Sequence, residues 1–156
     1  MPDPPVAGDR APAFGLPSTE GDISLEELLA AGDRVVLAFY AEDATPACTN
    51  EIAMLKGAHA MLREFGARVV AVSADSLESH SAFAQRIGGL PFALASDSLL
   101  EAAAAYGVID EADARRSRRA IFVIDRDGTL MLSLPHFQPA NLSQIEAIFA
   151  ALSAEV

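Results

Sequence analysis

The chain predicts an α/β fold: a central mixed β-sheet with helices on both faces. Short apolar runs bounded by turn residues alternate with segments of helical periodicity along most of its length. Near the end, Asp125-Arg126-Asp127-Gly128 separates two apolar runs and marks a hairpin, which adds an antiparallel pair to a sheet otherwise built by helical crossovers. Hydrophobic residues make up 51% of 156 residues, enough for a sizeable core in one domain over 1–156 without disulfides.

In order, residues 1–12 are rich in Pro and Gly and read as an extended lead-in. Residues 13–16 suit a short edge strand. Ser24-Leu25-Glu26-Glu27 is a capping box that opens a short helix, closed by Gly32. A buried strand is predicted over 34–40 and a helix from about 46 to 65, with Ile52, Leu55, His59, Leu62 and Phe65 on one face and Gly66 as its stop. Residues 68–73 make the next buried strand. Asp75 with Glu78 caps a helix that runs to Ile87 and ends at Gly88-Gly89. Residues 92–95 form a short strand, and Ser98 with Glu101 caps an Ala-rich segment over 99–105. The polar stretch 107–119 reads as loop. Strands at 120–124 and 129–134 flank the hairpin turn. Asn141 with Gln144 caps a last helix bearing Ile145, Ile148, Phe149 and Leu152 on its apolar face.

The only cysteine, Cys48, follows the first buried strand. Thr45 suits an N-cap and Pro46 the first helical position, which sets Cys48 in the first turn of a helix. Unpaired N–H groups and the positive end of the helix dipole favour the thiolate there, the nucleophilic form of cysteine. The plain alternative is a buried cysteine packed as a small hydrophobe, although its neighbours Ala47, Thr49 and Asn50 form no core stripe. Ligands of such sheets bind beyond the carboxyl ends of strands, where this residue falls.

A lone cysteine cannot form an internal bridge, which makes the cytoplasm the simpler location. Met1-Pro2-Asp3-Pro4-Pro5 lacks the basic-then-apolar order of a signal peptide, and no apolar run approaches transmembrane length. A net charge of −11 argues against nucleic acid or anionic membrane as partner. His59, His80 and His136 are scattered without metal-ligand spacing, and His59 reads as packing. No glycine-rich phosphate loop is present.

Thr45-Pro46-Ala47-Cys48-Thr49-Asn50-Glu51 resembles the peroxidatic motif of peroxiredoxins. Gly8-Asp9-Arg10-Ala11-Pro12-Ala13-Phe14 is similar to that family's opening, and Leu90-Pro91-Phe92-Ala93-Leu94-Ala95-Ser96-Asp97 to its Phe-x-Leu-x-Ser-Asp stretch. Tyr106-Gly107-Val108 follows, and Arg119-Ala120-Ile121-Phe122-Val123-Ile124-Asp125 resembles the strand whose leading Arg reaches the active site. The likeness extends over nearly the whole chain and points to the bacterioferritin-comigratory and one-cysteine alkyl hydroperoxide reductase E subgroups. Two positions depart from the pattern: Ala41 stands where the family usually has Pro, and Ala53 where a resolving cysteine often lies.

The resemblance implies a thioredoxin-like fold and a thiol-dependent peroxidase. Cys48 would be the nucleophile toward hydrogen peroxide or an alkyl hydroperoxide. Thr45 and Arg119 would hold the peroxide oxygens, and Glu51 would orient Arg119 through an ion pair. Recycling of the sulfenic acid would need an external thiol: a low-molecular-weight thiol, a glutaredoxin-like protein or thioredoxin. No metal, haem or flavin is implied, and the family suggests a homodimer. Arg115, Arg116 and Arg118 read as surface or interface residues. A thioredoxin-type oxidoreductase would need Cys-x-x-Cys, but Glu51 fills the second position; a glutathione peroxidase would need a Trp, and the chain has none. From a different class, a redox sensor or thiol-switch module with weak peroxidase activity is the alternative.

Overall fold

The computed structural model describes residues 3–153; Met1 and Pro2, which begin the expected lead-in, and residues 154–156 lie outside the described part. The elements run β1 (Gly15–Leu16), β2 (Ile23–Ser24), α1 (Leu25–Ala30), β3 (Arg34–Phe39), α2 (Pro46–Glu64), β4 (Ala67–Ser73), α3 (Leu77–Arg86), β5 (Ala93–Ser96), α4 (Glu101–Ala105), β6 (Ala120–Ile124), β7 (Leu130–Leu134) and α5 (Leu142–Ser153). Strand β2 was not expected; two residues carry no legible alternation, and it exists by pairing with β1.

Five strands form the main sheet in the order β5-β4-β3-β6-β7. Strands β3, β4 and β5 are parallel, joined by helical crossovers, while β6 runs antiparallel to both β3 and β7. The sheet is therefore mixed, as the sequence predicts.

The two-residue period of β3 divides the core. Val35, Leu37 and Phe39 face a cluster containing Leu25 and Leu28 of α1 and Ala102 and Ala103 of α4. Val36 and Ala38 face Ile52, Leu55 and Leu62 of α2, Phe83 of α3, and Ile148 and Leu152 of α5. A strand buried on both faces cannot alternate apolar with polar, which explains its continuous apolar run. Arg34 is also buried, its guanidinium bound to Asp125 Oδ1 at 3.2 Å and to the Phe65 and Leu152 carbonyls. Helix α2 ends where Gly66 adopts φ +75°, a conformation that an L side chain resists.

The starts of α3, α4 and α5 differ from expectation. Ser76, not Asp75, caps α3: its Oγ accepts the Ser79 N–H at 3.1 Å, while the Asp75 carboxylate turns to Ser73 and Asp43. Ser98 does not cap α4. The chain enters that helix through Leu100 at φ 57°, and this turn sets the Asp97 carboxylate over the N–H groups of Ala102 and Ala103, at 3.1 and 2.9 Å. At α5, Asn141 Oδ1 accepts the Gln144 N–H, but Gln144 Oε1 accepts from Gln138 N–H, so the box is not reciprocal.

Asp97 is buried, as are Ala102 and Ala103. Asp97→Ala would strand two buried donors, at a cost of about 1–3 kcal/mol. Urea unfolding followed by circular dichroism should show a lower midpoint with an unchanged slope. A midpoint equal to the parent's would mean that this cap contributes nothing.

Candidate active site

Pairing fixes where the site forms. Phe39 at the end of β3 lies opposite Ala120 at the start of β6. The chain leaving β3 toward Cys48 and the chain entering β6 from Arg119 therefore meet at one edge of the sheet. The Ser117 hydroxyl donates to the Tyr40 carbonyl at 2.9 Å and ties the two segments together.

Cys48 is the third residue of α2 and is 1% exposed. The first helical hydrogen bond is Thr49 N–H to the Thr45 carbonyl, 2.8 Å. The N–H groups of Ala47 and Cys48 precede it and belong to the donors that a helix leaves unpaired at its start. Pro46 has no N–H to leave. Thr45 occupies the N-cap position with extended backbone, but its hydroxyl does not cap; it donates to the Glu42 carbonyl at 3.2 Å. Thr45 Oγ1 is thereby an acceptor, one turn from Cys48.

Glu51 is fully buried. Burial, the adjacent Cys48 charge and the opposing pull of Arg119 leave its carboxyl well above the ordinary range. These influences mark Cys48, Glu51 and Arg119 as electrostatic neighbours. The ion pair implied for Glu51 and Arg119 does not form: among the described residues neither carboxylate oxygen of Glu51 nor Nε of Arg119 has a hydrogen-bond partner. Desolvation disfavours the carboxylate that such a pair needs.

The basic run divides by function of place. Arg115 and Arg116 pair with Asp113 and Asp110. Arg118 turns inward to the Pro135 and Gly107 carbonyls, so it is a structural residue and not a free surface cation. Arg119 is the member of the run whose charge acts on Glu51. His59 packs near Phe92, ring centroids 5.8 Å apart, and partial burial lowers its pKa.

One polar cluster went unassembled in the sequence. His80, scattered in sequence from any acidic partner, is fully buried with Nδ1 2.8 Å from Asp43 Oδ2 and Nε2 3.0 Å from the Ala95 carbonyl. Tyr40 and Ser79 hydroxyls also donate to Asp43, and Asp43 N–H donates to Asp75. The available signal was topological: Asp43 and Asp75 follow the carboxyl ends of β3 and β4, which are adjacent parallel strands.

No helix among the described residues is long and apolar enough to cross a membrane. The AhpC/TSA family model matches residues 7–133, a span that includes Thr45, Cys48, Glu51 and Arg119. The chloroplastic peroxiredoxin Q of Sedum lineare is 35% identical over 134 residues, covering 85% of this chain and 70% of that protein. A peroxiredoxin of Methanosarcina mazei is 28% identical over 162 residues, 95% of this chain and 74% of the relative. The crystal structure of peroxidoxin BcpB from Mycobacterium tuberculosis has a TM-score of 0.83 and 29% identity, covering 97% of this chain and 98% of its own. Its sheet, its helices and these matches agree: the chain belongs to the AhpC/TSA family of peroxiredoxins.

Proposed function

We propose that this peroxiredoxin is a one-cysteine thiol peroxidase acting on hydrogen peroxide and alkyl hydroperoxides. The observation that carries the reading is the grouping of Cys48, Glu51 and Arg119 at the start of α2, in a chain with no second cysteine. The Cys48 thiolate attacks the terminal peroxide oxygen. An S–O bond forms as the O–O bond breaks, sulfur is oxidised to sulfenic acid, and the peroxide leaves as hydroxide or alkoxide, which takes a proton to become water or an alcohol. Arg119 and the N–H groups of Ala47 and Cys48 stabilise the negative charge on the departing oxygen. Thr45 Oγ1, its hydrogen committed to Glu42, accepts a hydrogen bond from the peroxide O–H.

An external thiol then condenses with the sulfenic acid, releasing water and forming a mixed disulfide; a second thiol reduces it and restores Cys48. A low-molecular-weight thiol, a glutaredoxin-like protein and thioredoxin are the classes of reductant that fit. A cytoplasmic homodimer completes this reading. The redox-sensor alternative draws on the 1% exposure of Cys48, which favours slow oxidation; the rate of reaction with peroxide separates the two.

After one equivalent of peroxide, intact mass should show one added oxygen on the parent and a mixed disulfide once a small thiol is present. Cys48→Ser should show neither and consume no peroxide. Turnover by that variant would rule out the mechanism, and rapid Cys48–Cys48 dimerisation without added thiol would point to resolution between subunits.

Arg119→Met keeps the apolar stem and removes the charge. Stopped-flow oxidation should slow by the equivalent of about 3 kcal/mol in the transition state, with the fold retained. Parent-like rates would exclude Arg119 from the chemistry.

Glu51 also predicts a pH effect. A carboxyl whose pKa rises on folding supports the fold below its unfolded value, about 4.3, and that support is lost as pH rises through the folded value. The unfolding free energy of the parent minus that of Glu51→Gln should therefore fall as pH rises above about 4. Parallel pH profiles would show that Glu51 ionises as readily folded as unfolded.

A further inference from the structure

We propose that Asp43 and His80 are positioning residues that lock the loop between β3 and α2, and so set Thr45 and the first turn around Cys48 for reaction with peroxide. The proposal rests on the peroxidase reading above. Its ground is a closed set of hydrogen bonds centred on the Asp43 carboxylate. Oδ1 accepts from the Tyr40 hydroxyl at 2.6 Å, and Oδ2 from the Ser79 hydroxyl at 2.7 Å and from His80 Nδ1 at 2.8 Å. The Asp43 N–H donates to Asp75 Oδ2 at 2.8 Å, and the Ser73 hydroxyl donates to that same oxygen at 2.6 Å. Backbone and side chain of one loop residue are thus tied to Tyr40 just after β3, to α3 and to the loop after β4.

His80 anchors this set in the core. Its side chain is wholly buried and that of Asp43 is 5% exposed. Nε2 faces the Ala95 carbonyl, and Nδ1 faces the Asp43 carboxylate and the Tyr40 hydroxyl, so both ring nitrogens are engaged. Burial opposes the Asp43 charge, but the hydrogen bonds from His80, Tyr40 and Ser79 outweigh it and hold the carboxyl below its ordinary range. Asp43, Asp75 and His80 also bring ligand-type atoms within 4.8 Å of one another. Those atoms are engaged in the bonds already named, which describes a hydrogen-bonded lock and not a cation cage.

The lock acts where the backbone is strained. Ala44, directly after Asp43, sits at φ 66°, a region unfavourable for a residue with a Cβ. Such a conformation persists when its surroundings over-determine it. On one side of Ala44 stands Asp43, tied to Tyr40, Ser79, His80 and Asp75; on the other stands Thr45, whose carbonyl starts α2. The Tyr40 carbonyl is held in turn by Ser117, two residues before Arg119. Releasing Asp43 lets Ala44 relax and moves Thr45 and the start of α2 relative to Arg119. Reaction with peroxide needs that alignment, whereas simple alkylation of a thiol needs only access.

The test compares parent, Asp43→Asn, His80→Gln and Tyr40→Phe by stopped-flow oxidation with hydrogen peroxide, by iodoacetamide alkylation of Cys48, and by circular dichroism. Tyr40→Phe removes only the hydroxyl, with its contacts to Asp43 Oδ1 and His80 Nδ1, and keeps the apolar ring, so it reports even where the other variants fail to fold. The expected result is a peroxide rate constant lower by roughly tenfold to a hundredfold in Asp43→Asn and His80→Gln, a smaller drop in Tyr40→Phe, and alkylation as fast as the parent's or faster. Folded variants whose peroxide rates stay within about twofold of the parent would overturn the proposal, as would equal losses in oxidation and alkylation. A parent inert to peroxide would instead overturn the peroxidase reading, and the proposal with it.

Discussion

The position of β3 between β4 and β6 is the constraint on which the rest depends. Its parallel pairing with β4 brings the loops after the two strands side by side, and its antiparallel pairing with β6 brings the start of that strand to the same edge. The segment that carries the cysteine after one strand and the segment that carries the arginine before another, 71 positions further on by their numbers, meet at one end of the sheet for that reason. Both faces of β3 are sealed by helices, so its register is held: a slip of one residue would exchange the two core clusters.

At that edge the molecule gathers groups that would be costly if buried singly. Cys48 and Glu51 lie one helical turn apart on the inward face of α2, and the Arg119 charge acts on Glu51. Burial and the Cys48 charge both push the Glu51 carboxyl above its ordinary range, and the Arg119 guanidinium only partly opposes them. Among the described residues the oxygens of Glu51 and Nε of Arg119 have no partner, which leaves unused hydrogen-bonding capacity in the interior. Such capacity is unusual in a folded interior and is concentrated at sites that do chemistry.

The opposite strategy governs the loop that delivers Cys48. Around Asp43 and His80 every named polar atom has a partner, which makes burial of a charged group tolerable and the geometry stiff. In the proposed mechanism the unsatisfied pair would meet the substrate, while the satisfied network would hold the loop that carries Cys48 in place.

Much of this was legible in one dimension. The continuous apolar runs of β3, β4 and β6, the helical period through Ile52, Leu55 and Leu62, and the Asp-Gly hairpin turn follow from local chemistry, because burial on both faces, helix amphipathicity and turn conformation each leave a mark within a few residues. Cys48 at a helix start was readable for the same reason. The partners of those residues were not. That Asp97 and not Ser98 caps α4, that Thr45 turns its hydroxyl away from its helix, that Glu51 lacks its expected ion pair, and that His80 finds Asp43 were decided by tertiary structure. Each depends on which polar groups the packed strands bring within about 3 Å, and on how much water they exclude, and neither quantity is a property of neighbouring residues in the sequence.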